Sequence, residues 1–431
     1  MHTGLGRLLG GFAPLAVLLL AGPAAAEEAA ASGLNSGDVA WILTSSAIVL
    51  MMTIPGLAFF YGGLVRGKNV LSVLMHCFIC AGLISVTWVL WGYSIAFGGE
   101  GALWGGLSKL GLRGVSHLAG PEENIPEQLF MVFQLMFAII TPALIAGAIA
   151  ERMKFSAFFL FVLLWSTFIY SPLCHWVWGE GGWLSARGAL DFAGGTVVHI
   201  SSGVSALVAV LVLGKRQGYG REPLMPHNLP FTVMGAGLLW VGWFGFNAGS
   251  ALAADGSAIA AFVNTNTATG AAVLGWVFTE WLSRGKPTAL GAATGAVAGL
   301  VAITPAAGFV TPLGSVAIGL VAGFLCYQAC NLKAKLGYDD ALDVVGVHAV
   351  GGTWGALATG VLASAAVGGA AGGMGQLREQ IIAVGATYLF AGVGTFVILQ
   401  IVKATVGLRV HEDDESQGLD LSEHSETAYI H

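Results

Sequence analysis

The chain has 431 residues, of which 56% are hydrophobic and only 10% are charged. Soluble domains carry about 25% charged residues, so this chain has too few charges to cover a surface that faces water on all sides. The composition therefore excludes a soluble globular enzyme, a nucleic-acid-binding protein and a disordered protein.

The first 26 residues have the features of a secretory signal peptide. Arg7 precedes an apolar core over residues 12–21, and the small residues Pro23–Ala26 offer a cleavage site. Because this core is shorter than the ~20 residues that a spanning helix needs, we expect removal of the signal rather than an additional helix. The mature amino terminus then lies outside the cytoplasm.

Long windows without Asp, Glu, Lys or Arg follow one another along the rest of the chain. They cover residues 39–65, 69–99, 128–150, 155–179, 192–214, 223–254, 256–279, 287–332, 344–377 and 380–402. Each fits a helix of ~20 residues, and the window 287–332 fits two, because Thr304-Pro305 and Thr311-Pro312 interrupt it. The pattern predicts an all-α membrane protein with eleven transmembrane helices.

The basic residues predict the orientation of these spans. Of the 18 Lys and Arg residues, Arg7 is in the signal, 13 fall on the side of the odd-numbered connections and the carboxyl-terminal tail, and 4 fall on the side of the even-numbered connections. Basic residues prefer the cytoplasmic side, so the carboxyl terminus is predicted to be cytoplasmic. We therefore expect a multi-pass protein of the cell inner (plasma) membrane.

The predicted organisation is a signal peptide (1–26), an eleven-helix domain (38–405) and an acidic tail (406–431). Residues 411–426 hold seven carboxylates and no Lys or Arg. We expect these carboxylates to pair with basic residues of the cytoplasmic side, namely Arg66, Lys68, Arg152, Lys154, Lys215 and Arg216. The alternative is a solvated tail that serves solubility.

Two of the ten histidines fall in the middle of predicted spans. His199 lies in the fifth span and His348 in the tenth, each after an aspartate (Asp191 and Asp343) and among small residues. Ionisable side chains inside a bilayer are costly and commonly functional. Since the two histidines are five spans apart, the pattern predicts a 5+5 inverted repeat with a site near the midplane. The alternative is two buried histidines with a structural role only.

Several segments resemble the ammonium transporter (Amt/Mep/Rh) family, of the bacterial Amt type. They are Thr53–Ala58, Tyr61–Val65, Gly194–His199, Pro226–Pro230, Gly242–Ser250, Asp343–His348 and Thr405–Arg409. The resemblance covers nearly the whole mature chain, and strings of this length in this order are a specific signal. It implies a homotrimer in which each protomer has its own pore.

The resemblance also implies roles for individual residues. Trp178, Phe133 and Ser250 match an outer ammonium-binding site, Phe137 and Phe246 a stacked pair that closes the pore, His199 and His348 the twin histidines of the pore, and Asp191 a buried acidic residue. After Trp178 the chain is one residue longer than the usual pattern and adds Glu180, so the match is weakest at this lip. From the residues alone, Phe133 and Phe137 also fit an apolar stripe of a buried helix, and Asp191 fits a helix cap.

The chemistry of these residues suits ammonium. Aromatic faces attract a partly dehydrated cation, and the Ser250 oxygen can accept an N–H that a potassium ion lacks. An apolar passage beyond the phenylalanines is costly for an ion. We therefore expect deprotonation near the phenylalanines and passage of ammonia along the histidines, with or without a relayed proton.

The family resemblance extends to the tail through Gly418–Asp420, His424, Glu426 and Ala428–Tyr429. It implies a PII-type (GlnK-like) regulatory protein as a partner at the cytoplasmic face. Alternatives are an ammonium sensor with the same fold and a membrane protein that binds haem through two histidines. Motifs of serine hydrolases and zinc proteases are absent from the sequence, so we expect no enzyme, no cofactor and no bound metal.

Overall fold

The fold was analysed in a computed structural model that describes residues 34–120 and 123–429, so the predicted signal peptide lies outside the described part. This part is helical and contains no β-strand. The helices are α1 (Ser36–Leu64), α2 (Gly67–Phe97), α3 (Glu127–Ile149), α4 (Phe155–Ala186), α5 (Gly195–Leu213), α6 (Leu229–Gly249), α7 (Gly256–Arg284), α8 (Ala289–Ile303), α9 (Pro312–Leu336), α10 (Val345–Leu362), α11 (Met374–Thr405), α12 (Glu412–Gln417) and α13 (Leu419–His424).

Nine helices in the described residues, α1–α6 and α9–α11, are long and apolar enough to cross a bilayer. The prediction of a multi-pass membrane protein is thereby confirmed. The seventh and eighth predicted spans correspond to α7, with 29 residues, and α8, with 15. Since 15 residues extend for only about 22 Å, the count of eleven spans stays a prediction. The predicted break at the two Thr-Pro pairs lies between α8 and α9.

The buried centre of the bundle includes α3, α5 and α8, whereas α11 lies at its edge. In its most apolar stretch α3 is 89% buried and α11 is 28% buried. Helix α8 enters this centre with its second half: its residues from Ala296 to Ile303 are all buried, whereas its first residue, Ala289, is exposed.

The connections α1–α2, α3–α4, α5–α6 and α9–α10 share one side of the bundle, which we call the basic face. Arg216 joins Glu151 (3.0 Å) and Asp339 (2.8 Å) there, and Glu151 also accepts hydrogen bonds from Arg66 and Asn69. Burial alone would raise the pKa of Glu151, but the charges of Arg216 and Arg66 lower it to about 2. The four connections are therefore joined by one buried ionic cluster.

The tail lies against the basic face, but not through the ion pairs expected from the sequence. The carboxylates of Asp420 and Glu423 accept backbone N–H groups of Ser72 and Phe155, both at 2.8 Å. In the described part of the chain, the six expected basic partners form no ion pair with the tail; Lys68 reaches it through a carbonyl oxygen instead. The first N–H groups of a helix have no partner within the helix, so those of α2 and α4 are free to bind the tail carboxylates.

Candidate functional site

Two imidazole rings face each other in the middle of the bundle. His199 and His348 lie in the wide π-helical first turns of α5 and α10, and their Nδ1 atoms are 3.2 Å apart. Both side chains are buried, and the ring planes are 30° from parallel. Gly203 permits the contact, since a Cβ at that position would lie 2.3 Å from the amide nitrogen of Ala349. The two predicted mid-span histidines are thus brought together.

The start of α5 is fixed by the carboxylate of Asp191. It accepts the backbone N–H groups of Gly194 (2.8 Å), Gly195 (2.6 Å) and Thr196 (2.7 Å), together with the Thr196 hydroxyl. Burial raises the pKa of Asp191, and these hydrogen bonds act against that increase. Because the oxygens are used by the first turn of the helix that carries His199, this geometry favours the capping role.

The structure places Asp340, rather than Asp343, in the equivalent position before His348. Asp340 precedes His348 by eight residues, as Asp191 precedes His199, and it accepts the N–H of Val345 at 2.7 Å. Asp343 is instead paired with Lys333 at 2.6 Å. Burial, with help from the Asp343 charge and against that of Lys333, raises the pKa of Asp340 to about 6. The equal spacing of eight residues was a signal that the sequence analysis missed.

A row of aromatic rings leads to the histidines. Phe137 and Phe246 are stacked, with ring centroids 4.1 Å apart and planes 27° from parallel. Trp178 meets Phe137 edge-on at 5.8 Å, Phe133 lies 5.1 Å from Phe137, and Phe246 lies 6.1 Å from the His199 ring. The five aromatic side chains therefore form one continuous contact series.

A cavity of about 280 Å³, which we call the Trp178 cavity, opens beside the stacked pair. It is lined by Phe130, Gln134, Phe137, Val177, Trp178, Ser185, Phe192, Ser250 and Leu252. The indole N–H of Trp178 donates to the Asp191 carbonyl (2.9 Å), and the Ser250 hydroxyl donates to the Phe246 carbonyl (2.8 Å). Phe133 is fully buried and packs behind Phe137 rather than lining this cavity.

Two further cavities continue from the stacked pair to the basic face. A narrow cavity of about 10 Å³ has Phe246, His199 and His348 in its wall, with apolar side chains such as Leu144 and Leu239. This volume holds about one water molecule. His348 also lines a wider cavity of about 500 Å³ that extends to charged residues of the basic face. The narrow and the wide cavity thus share His348 as a wall residue, and the stacked Phe137 and Phe246 rings separate the narrow cavity from the Trp178 cavity.

The hydrogen bonds around the histidines determine which nitrogens carry protons. The Thr304 hydroxyl donates to the Leu300 carbonyl (2.8 Å) and accepts the indole N–H of Trp243 (2.9 Å). Its oxygen can then only accept from His199 Nε2, 3.3 Å away, so His199 is protonated at Nε2. His199 Nδ1 is consequently an acceptor, and His348 must donate from its own Nδ1. His348 Nε2 keeps a free lone pair.

Sequence reasoning did not single out Trp243 or Thr304, although both orient His199. Trp243 lies one helical turn before Phe246 on α6, and its ring stacks on His199 at 5.5 Å. The spacing of three residues between Trp243 and Phe246 indicates that both side chains lie on the same face of α6, which the sequence alone could have shown. Thr304 was noticed only as part of a helix break, and its hydrogen bonds depend on contacts between distant helices that a sequence does not display.

The arrangement does not fit a haem held by two histidines. The Nδ1 atoms are 3.2 Å apart, and the adjoining narrow cavity has a volume of about 10 Å³, so no macrocycle can lie between the rings. In the described residues, no group of three His, Cys, Asp or Glu side chains is placed to hold a metal ion.

A comparison with known families matches residues 40–429 to the Ammonium Transporter Family. The chain belongs to this family. A curated ammonium transporter of Bacillus subtilis is 51% identical over 404 residues, which cover 92% of this chain and 99% of the relative. The crystal structure of Candida albicans Mep2 is similar, with a TM-score of 0.83 and 36% identity over 88% of each chain.

A structure described as a sensor Amt protein is similar too, with a TM-score of 0.84. Its identity is 28%, over 90% of this chain and 98% of that one. The fold is therefore shared by transporters and a sensor. The higher sequence identity to the named transporters favours transport over sensing for this member of the Ammonium Transporter Family.

Proposed function

We propose that this protein carries ammonium nitrogen across a membrane, through the three cavities that run from Trp178 to the basic face. The observation that supports this most strongly is the unbroken series of wall residues: Phe137 borders the first cavity, Phe246 the second, and His348 both the second and the third. Named ammonium transporters with about half of their residues identical to this chain support the choice of substrate.

In this proposal the Trp178 cavity binds the ammonium ion. The Trp178 and Phe137 rings offer aromatic faces, and each such contact with a partly dehydrated cation is worth about 0.5–2 kcal/mol. Ser250 donates its hydroxyl hydrogen to the Phe246 carbonyl, so its oxygen is free to accept an N–H. Phe133, which packs behind Phe137, supports the ring rather than touching the ion.

The stacked rings of Phe137 and Phe246 act as a gate. Beyond them the wall is apolar and space is limited to about 10 Å³, so an ion would lose its water without replacement. Moving a charge into such a site costs several kcal/mol, whereas ammonia has no charge to desolvate. The ion therefore gives a proton to water in the Trp178 cavity at the gate, and ammonia passes along His199 and His348.

Variants that separate binding from gating test this proposal. Trp178→Leu removes an aromatic face, so it is expected to raise the half-saturation concentration by about tenfold, in line with the loss of one cation–π contact, while the maximal rate stays close to wild type. Phe137→Ala and Phe246→Ala remove the gate, so they are expected to change the maximal rate or allow potassium to leak. Initial rates in proteoliposomes with ammonium and potassium gradients provide the measurement.

Leu103→Ala is a suitable control, because this exposed side chain lies away from the three cavities. Identical kinetic changes in the Trp178 and phenylalanine variants would contradict the division into a binding site and a gate. A wild-type protein that moves no ammonium in proteoliposomes would contradict the function itself.

The proposal includes three features that the resemblance implies: eleven spans, a homotrimer, and a PII-type partner at the basic face. The large exposed apolar surfaces of α9 and α11 support contact with lipid or with other copies of the chain. Deleting residues 411–431 is expected to lower flux and to abolish the response to a PII-type protein, while the trimer persists. Native mass spectrometry and flux assays on the truncated protein measure both properties.

A further inference from the structure

The wall of the Trp178 cavity includes a residue whose backbone conformation is unfavourable. Leu252 lies in the connection between α6 and α7, with a φ of 57°. Only glycine adopts this left-handed region readily, because the Cβ of other residues approaches the following carbonyl. Leu252 nevertheless forms part of the cavity wall, together with Trp178 and Ser250. Something outside the connection must hold it there.

The contacts of this connection show what holds it. The Asn124 side-chain N–H donates to the Leu252 carbonyl and to the carboxylate of Asp38, both at 2.9 Å. The other carboxylate oxygen of Asp38 accepts the N–H of Ala254 at 2.7 Å. One polar pair, from α1 and from the connection before α3, thus binds the backbone on both sides of residue 253.

The burial of Asp38 keeps its carboxylate oxygens bound to these two partners. Asp38 is 7% exposed, and its two oxygens are used by Asn124 and Ala254. Leu252 adds a hydrogen bond of its own N–H to the Gly249 carbonyl at 2.9 Å. Asp38 and Asn124, which we call the clamp, thus join two segments distant in sequence to the connection after α6, the helix that carries Phe246 and is followed by Ser250.

We propose that Asp38 and Asn124 are positioning residues that set the size of the cation accepted by the Trp178 cavity. By holding Leu252 in the left-handed region, they keep its side chain in the cavity wall, where it limits the space beside Trp178. A release of the clamp lets Leu252 return to a favoured backbone conformation and withdraw. This inference rests on the proposed function, because it assigns size selectivity to the same cavity.

The test compares transport of ammonium with that of methylammonium, which adds one methyl group. Asn124→Ala and Leu252→Ala are each expected to raise the methylammonium-to-ammonium rate ratio by about tenfold, the usual discrimination for one such group in a fitted pocket. The double variant should show no further increase, because both changes remove the same piece of wall. Thr311→Ala is the matched control: Thr311 caps the start of α9 through its side chain and has no hydrogen bond to Asp38 or Asn124.

Thermal unfolding of all four variants separates a structural effect from a selectivity effect. The inference is contradicted if Asn124→Ala lowers the unfolding temperature but leaves the rate ratio at the value of the Thr311→Ala control. It is also contradicted if the two single changes add in the double variant. Failure of the wild-type protein to transport either cation would instead contradict the proposed function, so the two outcomes are distinguishable.

Discussion

Several side chains in this protein position their neighbours by forming hydrogen bonds with them. Thr304 uses its donor and both acceptor positions on Leu300, Trp243 and His199. Asp191 likewise uses its oxygens on the first turn of α5. Each of these residues fixes the orientation of a group that lines the cavities, so a change in one should alter transport as well as stability.

The histidine pair provides the first prediction at this scale. His199→Ala removes the hydrogen bond to His348 and widens a cavity that now holds about one water molecule. The ratio of ammonium to potassium flux should fall by about tenfold or more, as expected for one lost hydrogen bond and the additional water. Proteoliposome flux assays measure this ratio, and the exposed His117 supplies the control His117→Ala. Unchanged rate and selectivity in both His199→Ala and His348→Ala would contradict a twin-histidine pore.

The capping aspartate provides the second prediction. Asp191→Asn replaces one carboxylate oxygen by an NH₂ group that faces backbone N–H donors, and an unsatisfied buried donor costs about 1–3 kcal/mol. The unfolding free energy in detergent should therefore fall by about this amount, and ammonium flux should fall with it. Asp255→Asn is the matched control, because Asp255 caps the start of α7 through one N–H on the surface. An Asp191→Asn protein with normal stability but weaker ammonium binding would indicate a direct role in attracting the cation.

At the scale of helices, the basic face is held by charges that are buried on folding. Glu151 is shared between Arg66 and Arg216, and its folded pKa of about 2 is below the 4.5 of an unperturbed glutamate. A carboxylate with a lowered pKa contributes stability at pH values above 4.5. That contribution is lost as the pH falls towards 2.

The lowered pKa of Glu151 gives the third prediction. Glu151→Gln leaves two arginines with fewer partners, so the unfolding free energy at neutral pH should fall by about 3–5 kcal/mol. The difference from wild type should stay constant down to about pH 4.5 and shrink below it. Unfolding curves in detergent from pH 3 to pH 7 measure it; Glu127→Gln, at a partly exposed pair with Lys109, should cost less than about 1 kcal/mol. A difference that grows on acidification would contradict the pairing of Glu151.

Helix positions were predictable from the sequence because the cost of burying charge fixes where charged residues can lie. The charge-free windows correspond closely to α1–α11, and the Thr-Pro pairs separate α8 from α9. The contact between His199 and His348 was also expected, since both are costly inside a bilayer. The role of Asp340 and the tail contacts were not predicted, because side-chain bonds to backbone N–H groups leave no pattern of charge or hydropathy.

For the whole molecule, the asymmetric distribution of basic residues gives the fourth prediction. Arg66, Arg152 and Arg216 all lie at the basic face, where the tail also docks. Basic residues are retained in the cytoplasm, so a reporter fused to the carboxyl terminus should be active in the cytoplasm. A fusion of alkaline phosphatase, which is active only outside, and a fusion of a fluorescent protein, which folds inside, provide the matched pair. Activity of the phosphatase fusion alone would place the carboxyl terminus outside the cytoplasm and contradict the predicted orientation.

The fixed proton positions of the histidine pair have a kinetic consequence. His348 donates to His199, and His199 donates to Thr304, so the N–H bonds all point away from the basic face. A proton can enter this pair only at the free lone pair of His348 Nε2, which lines the cavity of about 500 Å³, and it cannot continue past Thr304, whose hydroxyl hydrogen is already donated to the Leu300 carbonyl. A proton that moves from the Trp178 cavity towards the basic face needs both rings in the opposite tautomer. Its passage converts both rings back to the tautomers described here. Inward proton relay therefore includes a reset of both rings in every cycle, and replacing H₂O by D₂O should slow turnover wherever that reset limits the rate.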